Sequence, residues 1–147
     1  MSNKHSFDIN VLHIELGRHL YGGAKQVTYL IDALDKNARF TQHLLCAAKS
    51  EISHCNFNRC KTLSIGYKGD TDLIGFKRLL DVVKGIKPDV IHVHSRRGAD
   101  VWGALAAKLT GTPAVCTRRV DNTESVLARF KYREYDAVIS ISKGVHK

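Results

Sequence analysis

A doubly wound α/β sheet, mostly parallel, is the fold class that this sequence predicts, and three observations predict it. β-branched apolar runs alternate with amphipathic segments along the 147 residues. The first such run leads into a glycine-bearing turn and then into a helix-period pattern. Asp89–His94, DVIHVH, reads as a strand buried on both faces, which is the mark of parallel pairing.

The elements follow in order. Ile9–Glu15, INVLHIE, is a buried strand, and the turn after it holds Gly17, Gly22 and Gly23. Ala24, Val27, Leu30, Ile31 and Leu34 then recur on one helical face, with Lys25, Gln26, Asp32, Asp35 and Lys36 on the other. Thr41–Ala47 and Lys61–Ile65 read as the second and third strands. Asp70 or Asp72 can cap the next helix, whose Phe76, Leu79, Leu80, Val83 and Ile86 share a face before Lys87 and Pro88 stop it. After DVIHVH, Ala99–Leu109 is an alanine-rich helix ended by Gly111 and Pro113. Ala114–Thr117 and Ala137–Ile141 supply the last strands, and the final SKGVHK starts another helix. Such alternation builds βαβ units with right-handed crossovers.

A content of 44% hydrophobic residues suits one compact domain. The start of the chain lacks the apolar run of a secretory signal, and no stretch reaches the roughly 18 apolar residues of a bilayer span, so a cytoplasmic place is expected. Cys46, Cys55, Cys60 and Cys116 form no CxxC pair and read as reduced structural thiols; His54, Cys55 and Cys60 match no metal-site spacing. The net charge of +9 calls for an anionic partner: nucleic acid, a membrane surface or a phosphorylated small substrate.

Ligands of open parallel sheets bind beyond the carboxyl ends of the strands. The segments expected there are basic: Arg18, His19 and Lys25 after the first strand, Arg96 and Arg97 after DVIHVH, Arg118 and Arg119 after AVCT, and Lys143 after the last. Guanidinium groups suit phosphate, so an anionic ligand is favoured over a merely solvated charged face. Lys49 and Lys61 are expected outside this crevice. The turn Gly17–Gly23 reads G-x-x-x-x-G-G, which is neither the dinucleotide fingerprint nor a P-loop, since Ala24 stands where the P-loop needs lysine. Gly22 and Gly23 just ahead of a helix would let a phosphate approach backbone N–H groups, though a purely structural turn is equally open. His94 ends its strand at the ligand edge and can donate to a sugar hydroxyl or phosphate, whereas His92 reads as a core histidine. The pair could face a metal, but no carboxylate or third histidine is spaced to complete the site, and no metal is expected.

These segments resemble a family: VLHIELGRHLYGGAKQVTYLIDAL, PDVIHVHSRRGADVWGALAAKLTGTPAVCTRRVDN and YDAVISISKGV are similar, in order, to the N-terminal domain of group 1 (family 4) glycosyltransferases with the GT-B fold. The resemblance implies a Rossmann-like domain that holds the acceptor and faces a second domain that holds most of a nucleotide-sugar. It implies that Gly22 and Gly23 approach the donor diphosphate, that His94 is the catalytic histidine of the cleft, and that Lys25, Arg96, Arg97, Arg118, Arg119 and Asp121 face a saccharide or lipid-linked acceptor. Members of the family retain anomeric configuration, with the departing diphosphate assisting the incoming hydroxyl, so no paired carboxylates are required and none are offered here. No cofactor is implied beyond the nucleotide-sugar co-substrate.

The family's C-terminal E-x7-E element has no counterpart here, since Glu124 and Glu134 have the wrong spacing. The chain is therefore expected to need a C-terminal domain or a split partner chain for transfer. Cell-surface glycan or lipopolysaccharide synthesis is associated with the family, and the charge admits peripheral attachment to an anionic membrane. The rival reading is a non-catalytic module that binds an anionic saccharide or lipid head group. A GT-B epimerase half should show different cleft acids and histidines, and a nucleic-acid protein should show a stacking platform or recognition helix, neither of which is present.

Overall fold

The structure is a computed structural model. It describes residues 8–69, 71–94, 99–118 and 135–140, with Arg118 and Ser140 described by backbone alone. The order of elements is β1 (Ile9–Glu15), α1 (Gly22–Asp35), β2 (Phe40–Ala47), a 3-10 turn (Glu51–His54), β3 (Cys60–Ile65), α2 (Leu73–Ile86), β4 (Val90–Val93), α3 (Ala99–Thr110), β5 (Ala114–Arg118) and β6 (Ala137–Ser140). The strands form one six-stranded sheet in the order β3-β2-β1-β4-β5-β6, and all five pairings are parallel. The chain leaves β1 toward β2 on one side and later returns to β4 on the other, so the strand order reverses between β1 and β4.

Alternation along the strands sorts the core into two layers. Leu12, Ile14, Leu45, Ile91 and Val93 face α2 and α3, while Leu44 and Cys46 face α1 through Ala24, Val27 and Ile31. Leu12, Ile14, Leu44, Leu45 and Ile91 are fully buried, and each such side chain contributes about 1.5–3 kcal/mol relative to exposure. Asp72 caps α2 by accepting the Gly75 N–H at 2.9 Å, and Lys87 ends that helix in the left-handed region at φ 51°. Gly111, at φ 66°, takes the left-handed position after α3, where a side chain would be strained.

Cys60 belongs to the α1-side core, and burial pushes its thiol up to about 12, so it is an inert structural thiol. All four cysteines are free.

α3 lies against β4 at a glycine. A Cβ added at Gly103 would meet Val93 Cγ2 at 2.6 Å, and Val93 is completely buried with a stiff branched side chain. Gly103→Ala is expected to lose stability in urea unfolding by about 1 kcal/mol or more, because overpacking of about 1–3 kcal/mol outweighs the helix-propensity gain of up to about 1 kcal/mol. Parental stability in that variant would mean that the helix can lift off the sheet without cost.

Candidate functional site

The crevice of such a sheet opens at the carboxyl ends of the strands where their order reverses, here β1 and β4. β1 ends in Glu15, which is buried and accepts the Gly17 N–H at 3.0 Å, turning the chain sharply away from the strand. α1 begins five residues after Gly17. The sequence reading put Gly22 and Gly23 ahead of the helix, but they are the first two residues of its first turn. Tyr21, at the N-cap, makes no side-chain hydrogen bond to that turn, and no acidic residue lies in it. A Cβ at Gly22 would meet nothing within 4 Å. Neither glycine has positive φ, so the pair is not required by backbone strain. Its effect is an open helix N-terminus, where backbone N–H groups and the helix dipole favour an anion.

At the same switch point three imidazoles meet. His94 follows β4 directly and is 4% exposed; its backbone N–H is held by the Ile14 carbonyl at 2.9 Å. His13 of β1 lies beside His92 of β4 in the strand register and is completely buried. His13 Nδ1 and His94 Nε2 are 2.9 Å apart, and the two rings stack with centroids 5.2 Å apart. The other nitrogen of His13, Nε2, is 2.9 Å from Gln42 Oε1. Gln42, 1% exposed on β2, donates from Nε2 to the Ile31 carbonyl at 3.0 Å and to Asp35 Oδ1 at 2.7 Å, both on α1. His92, expected to be a core histidine, is half-buried, and its Nε2 lies 2.7 Å from Thr117 Oγ1.

Burial pulls the pKa of His13 down to about 4, against the raising effects of the Gln42 hydrogen bond and the Asp35 charge. His13 is therefore neutral at pH 7.

The histidine expected to be lacking for a metal site is thus His13, brought 79 residues nearer by strand pairing. Ligand atoms of His13, His92 and His94 all lie within 4.8 Å of one another. Two nitrogens bound tetrahedrally to an ion such as Zn²⁺ stand about 3.3 Å apart. The His13–His94 separation of 2.9 Å is instead that of two rings sharing a proton.

A second feature flanks the crevice beyond β2 and β3. A hollow of about 460 Å³ is lined by Arg18, His19, Lys49, Glu51, Tyr67 and Lys68 among others. Lys49, expected outside the crevice, lines it because the turn after β2 places Lys49 in the left-handed region at φ 65° on the carboxyl edge. Glu51 is tied down as the acceptor of the Leu20 N–H at 2.6 Å, with His19 Nδ1 at 3.4 Å. Those hydrogen bonds hold its carboxyl below the usual glutamate range. Arg18, Lys49 and Lys68 thus line the hollow beside a carboxylate already engaged. A hollow of about 610 Å³ at the opposite edge, lined by Lys84, Pro88, Thr110 and Pro113, precedes β4 and β5 and lies at the wrong end of the sheet for a crevice ligand.

Of the residues expected at the site, His94 directly follows β4, Gly22 and Gly23 open the helix that follows β1, and Lys25 is exposed in the first turn of that helix. Arg96, Arg97, Arg119 and Asp121 lie outside the described residues, as does Lys143, and Arg118 is placed only as the last residue of β5. The sequence reading missed His13, Gln42 and Lys49. INVLHIE and DVIHVH each carry a histidine in mid-strand, and pairing those two strands in parallel would have been the signal for the first.

The chain matches the "Glycosyl transferase 4-like" family model over residues 8–142. No curated protein matches it significantly. Among solved structures it is similar to a UDP-N-acetylglucosamine 2-epimerase (18% identity, TM-score 0.70, 94% of this chain and 43% of that one). It is also similar to the UDP-GlcNAc 2-epimerase of Neisseria meningitidis bound to UDP-GlcNAc (17% identity, TM-score 0.67, 93% and 41%). A third likeness is to Anabaena HepE in complex with UDP and glucose (14% identity, TM-score 0.62, 93% and 39%). At these identities the likeness is one of fold, and the chain spans about two fifths of the length of each. With its Rossmann-like sheet matching one half of a GT-B protein, and with nearly its whole length covered by the family model, the chain belongs to the glycosyl transferase 4-like family.

Proposed function

We propose that the chain is the acceptor-side half of a retaining glycosyltransferase that moves a sugar from a nucleotide-sugar to a saccharide or lipid-linked acceptor. The observation that carries this reading is the N-terminus of α1, which has a glycine pair, no side-chain cap and no acidic residue in its first turn, and which follows β1 as His94 follows the neighbouring β4. A leaving diphosphate held there is stabilised by backbone N–H groups that need no reorganisation as charge develops. His94 serves the cleft side, donating to a phosphate or sugar oxygen. The nucleotide-sugars named with the similar structures support a nucleotide-sugar as donor. A second domain, on the same chain or another, holds the base and donor sugar. The excess of basic residues supports work at the cytoplasmic face of an anionic membrane, in cell-surface glycan or lipopolysaccharide synthesis.

Transfer is expected from a nucleotide-sugar when the chain is combined with a family donor domain, and none from the chain by itself. Robust turnover by the isolated chain would refute the half-cleft reading, and absence of turnover in every combination would refute the transferase reading.

The hollow lined by Arg18, Lys49 and Lys68 supports an acceptor that carries phosphate or carboxylate. That hollow equally supports the second reading, a module that binds an anionic saccharide or lipid head group without turnover. In calorimetric titration with a sugar phosphate, Arg18→Ala with Lys49→Ala should weaken binding by about two orders of magnitude or more, each charge-assisted contact contributing about 1.5–3 kcal/mol. Lys61→Ala with Lys84→Ala should change it little. Equal losses in the two pairs, at two salt concentrations, would leave only a diffuse basic surface.

A further inference from the structure

The polar groups buried under α1 form a directional chain. Gln42 Nε2 is 3.0 Å from the Ile31 carbonyl and 2.7 Å from Asp35 Oδ1. A carbonyl can only accept, so that end of the amide must be NH₂; the flipped amide would set oxygen against oxygen. Gln42 Oε1 then accepts, and His13 must donate to it from Nε2. A neutral His13 with its proton on Nε2 has its lone pair on Nδ1. His94 Nε2, 2.9 Å from that atom, must therefore carry a proton.

We infer that Gln42 is a positioning residue for His94: acting through His13, it holds the His94 imidazole in the tautomer with its proton on Nε2 and its lone pair on Nδ1. Each link is anchored. Asp35 also accepts the Arg59 N–H through Oδ2 at 3.3 Å, and Gln42 and His13 are at most 1% exposed, so water does not compete for their bonds. The burial that keeps His13 neutral also gives the chain its direction, because a doubly protonated His13 would donate from both nitrogens and force His94 Nε2 to accept. The same chain fixes the ring plane of His94, since a flip about its Cβ–Cγ bond would break the Nε2 bond. A histidine at a transfer site is useful in proportion to how well its tautomer and orientation are held before substrate arrives.

The bearing of this on catalysis rests on the reading of His94 as the cleft histidine; the protonation pattern itself does not. Long-range proton–nitrogen NMR correlation of the imidazoles in the full chain at neutral pH reads the pattern directly. The expected result is Nε2–H on both His13 and His94. Gln42→Met removes the acceptor at nearly constant volume, and the Nδ1–H form of His94 should rise several-fold. A parental His94 in the Nδ1–H form would overturn the inference. So would an unchanged His94 spectrum in folded Gln42→Met. If the Met variant does not fold, the parental spectrum decides. The expected pattern in a protein that never transfers sugar would sink the transferase reading and leave the positioning chain standing.

Discussion

Gly23→Val, in a transfer-competent pairing with a donor domain, is expected to lower turnover by about two to three orders of magnitude, the loss seen when a donor to a developing oxyanion is removed. Gly23 lies in the first turn of α1 with ordinary helical φ, and its neighbour Gly22 borders open space. A branched side chain at Gly23 meets no strain from φ and, where the diphosphate binds as proposed, would stand in its path. Valine is also a better helix former than glycine, so the melting temperature should hold nearly constant. Transfer rate and melting curve, measured on the same preparation, separate the two effects. Gly22→Ala should be milder, since a single methyl group leaves most of the approach open. Unchanged transfer in Gly23→Val would return the glycine pair to a purely structural role.

The stability of the chain should fall steeply as pH drops from about 6.5 to about 4, and His13 is the main cause. In the unfolded chain its imidazole takes up a proton near the ordinary value of 6.5, whereas in the folded protein it does so only near 4. Across that window the unfolded state binds more protons, so stability rises with pH and is lost as pH falls. The lowered pKa corresponds to a stability change on the order of 3 kcal/mol. His43, lowered by burial and by Lys61, adds in the same direction. Glu51 and Asp72 are likewise held below their ordinary ranges, first by hydrogen bonds from backbone N–H groups, and their stabilisation too is lost as pH falls, toward the acid end of this window and below it. Urea unfolding of the parent and of His13→Gln across this range checks the assignment. The variant should show a markedly flatter profile, and an equal slope in both proteins would remove His13 from the account.

Much of the fold was legible because the local signals agreed with the global one. β1 was read with its observed bounds; DVIHVH lay at the centre of the sheet, Asp72 capped α2, and Gly111 closed α3. Of the candidate site, only the residues at a strand end or a helix start were legible, as with His94 after β4 and Gly22 at the start of α1. What the sequence could not show is what register decides. Residues 13 and 92 become neighbours only when β1 and β4 pair in parallel, and Gln42 joins them only because β2 takes the other side of β1. Lys49 escaped for a different reason, since its position depends on a left-handed turn that no glycine announced.

Titration of the nitrogen-15-labelled chain with a uridine diphosphate sugar, followed through its backbone amides, shows whether the crevice between β1 and β4 receives the diphosphate of a nucleotide-sugar. Saturable shifts are expected, centred on Gly22, Gly23 and Ala24 and on His94, reproduced by the nucleoside diphosphate and lost with the unphosphorylated nucleoside. Shifts centred instead on Lys84, Asp89 and Thr112 at the opposite edge of the sheet, or equal shifts with the nucleoside alone, would contradict binding there.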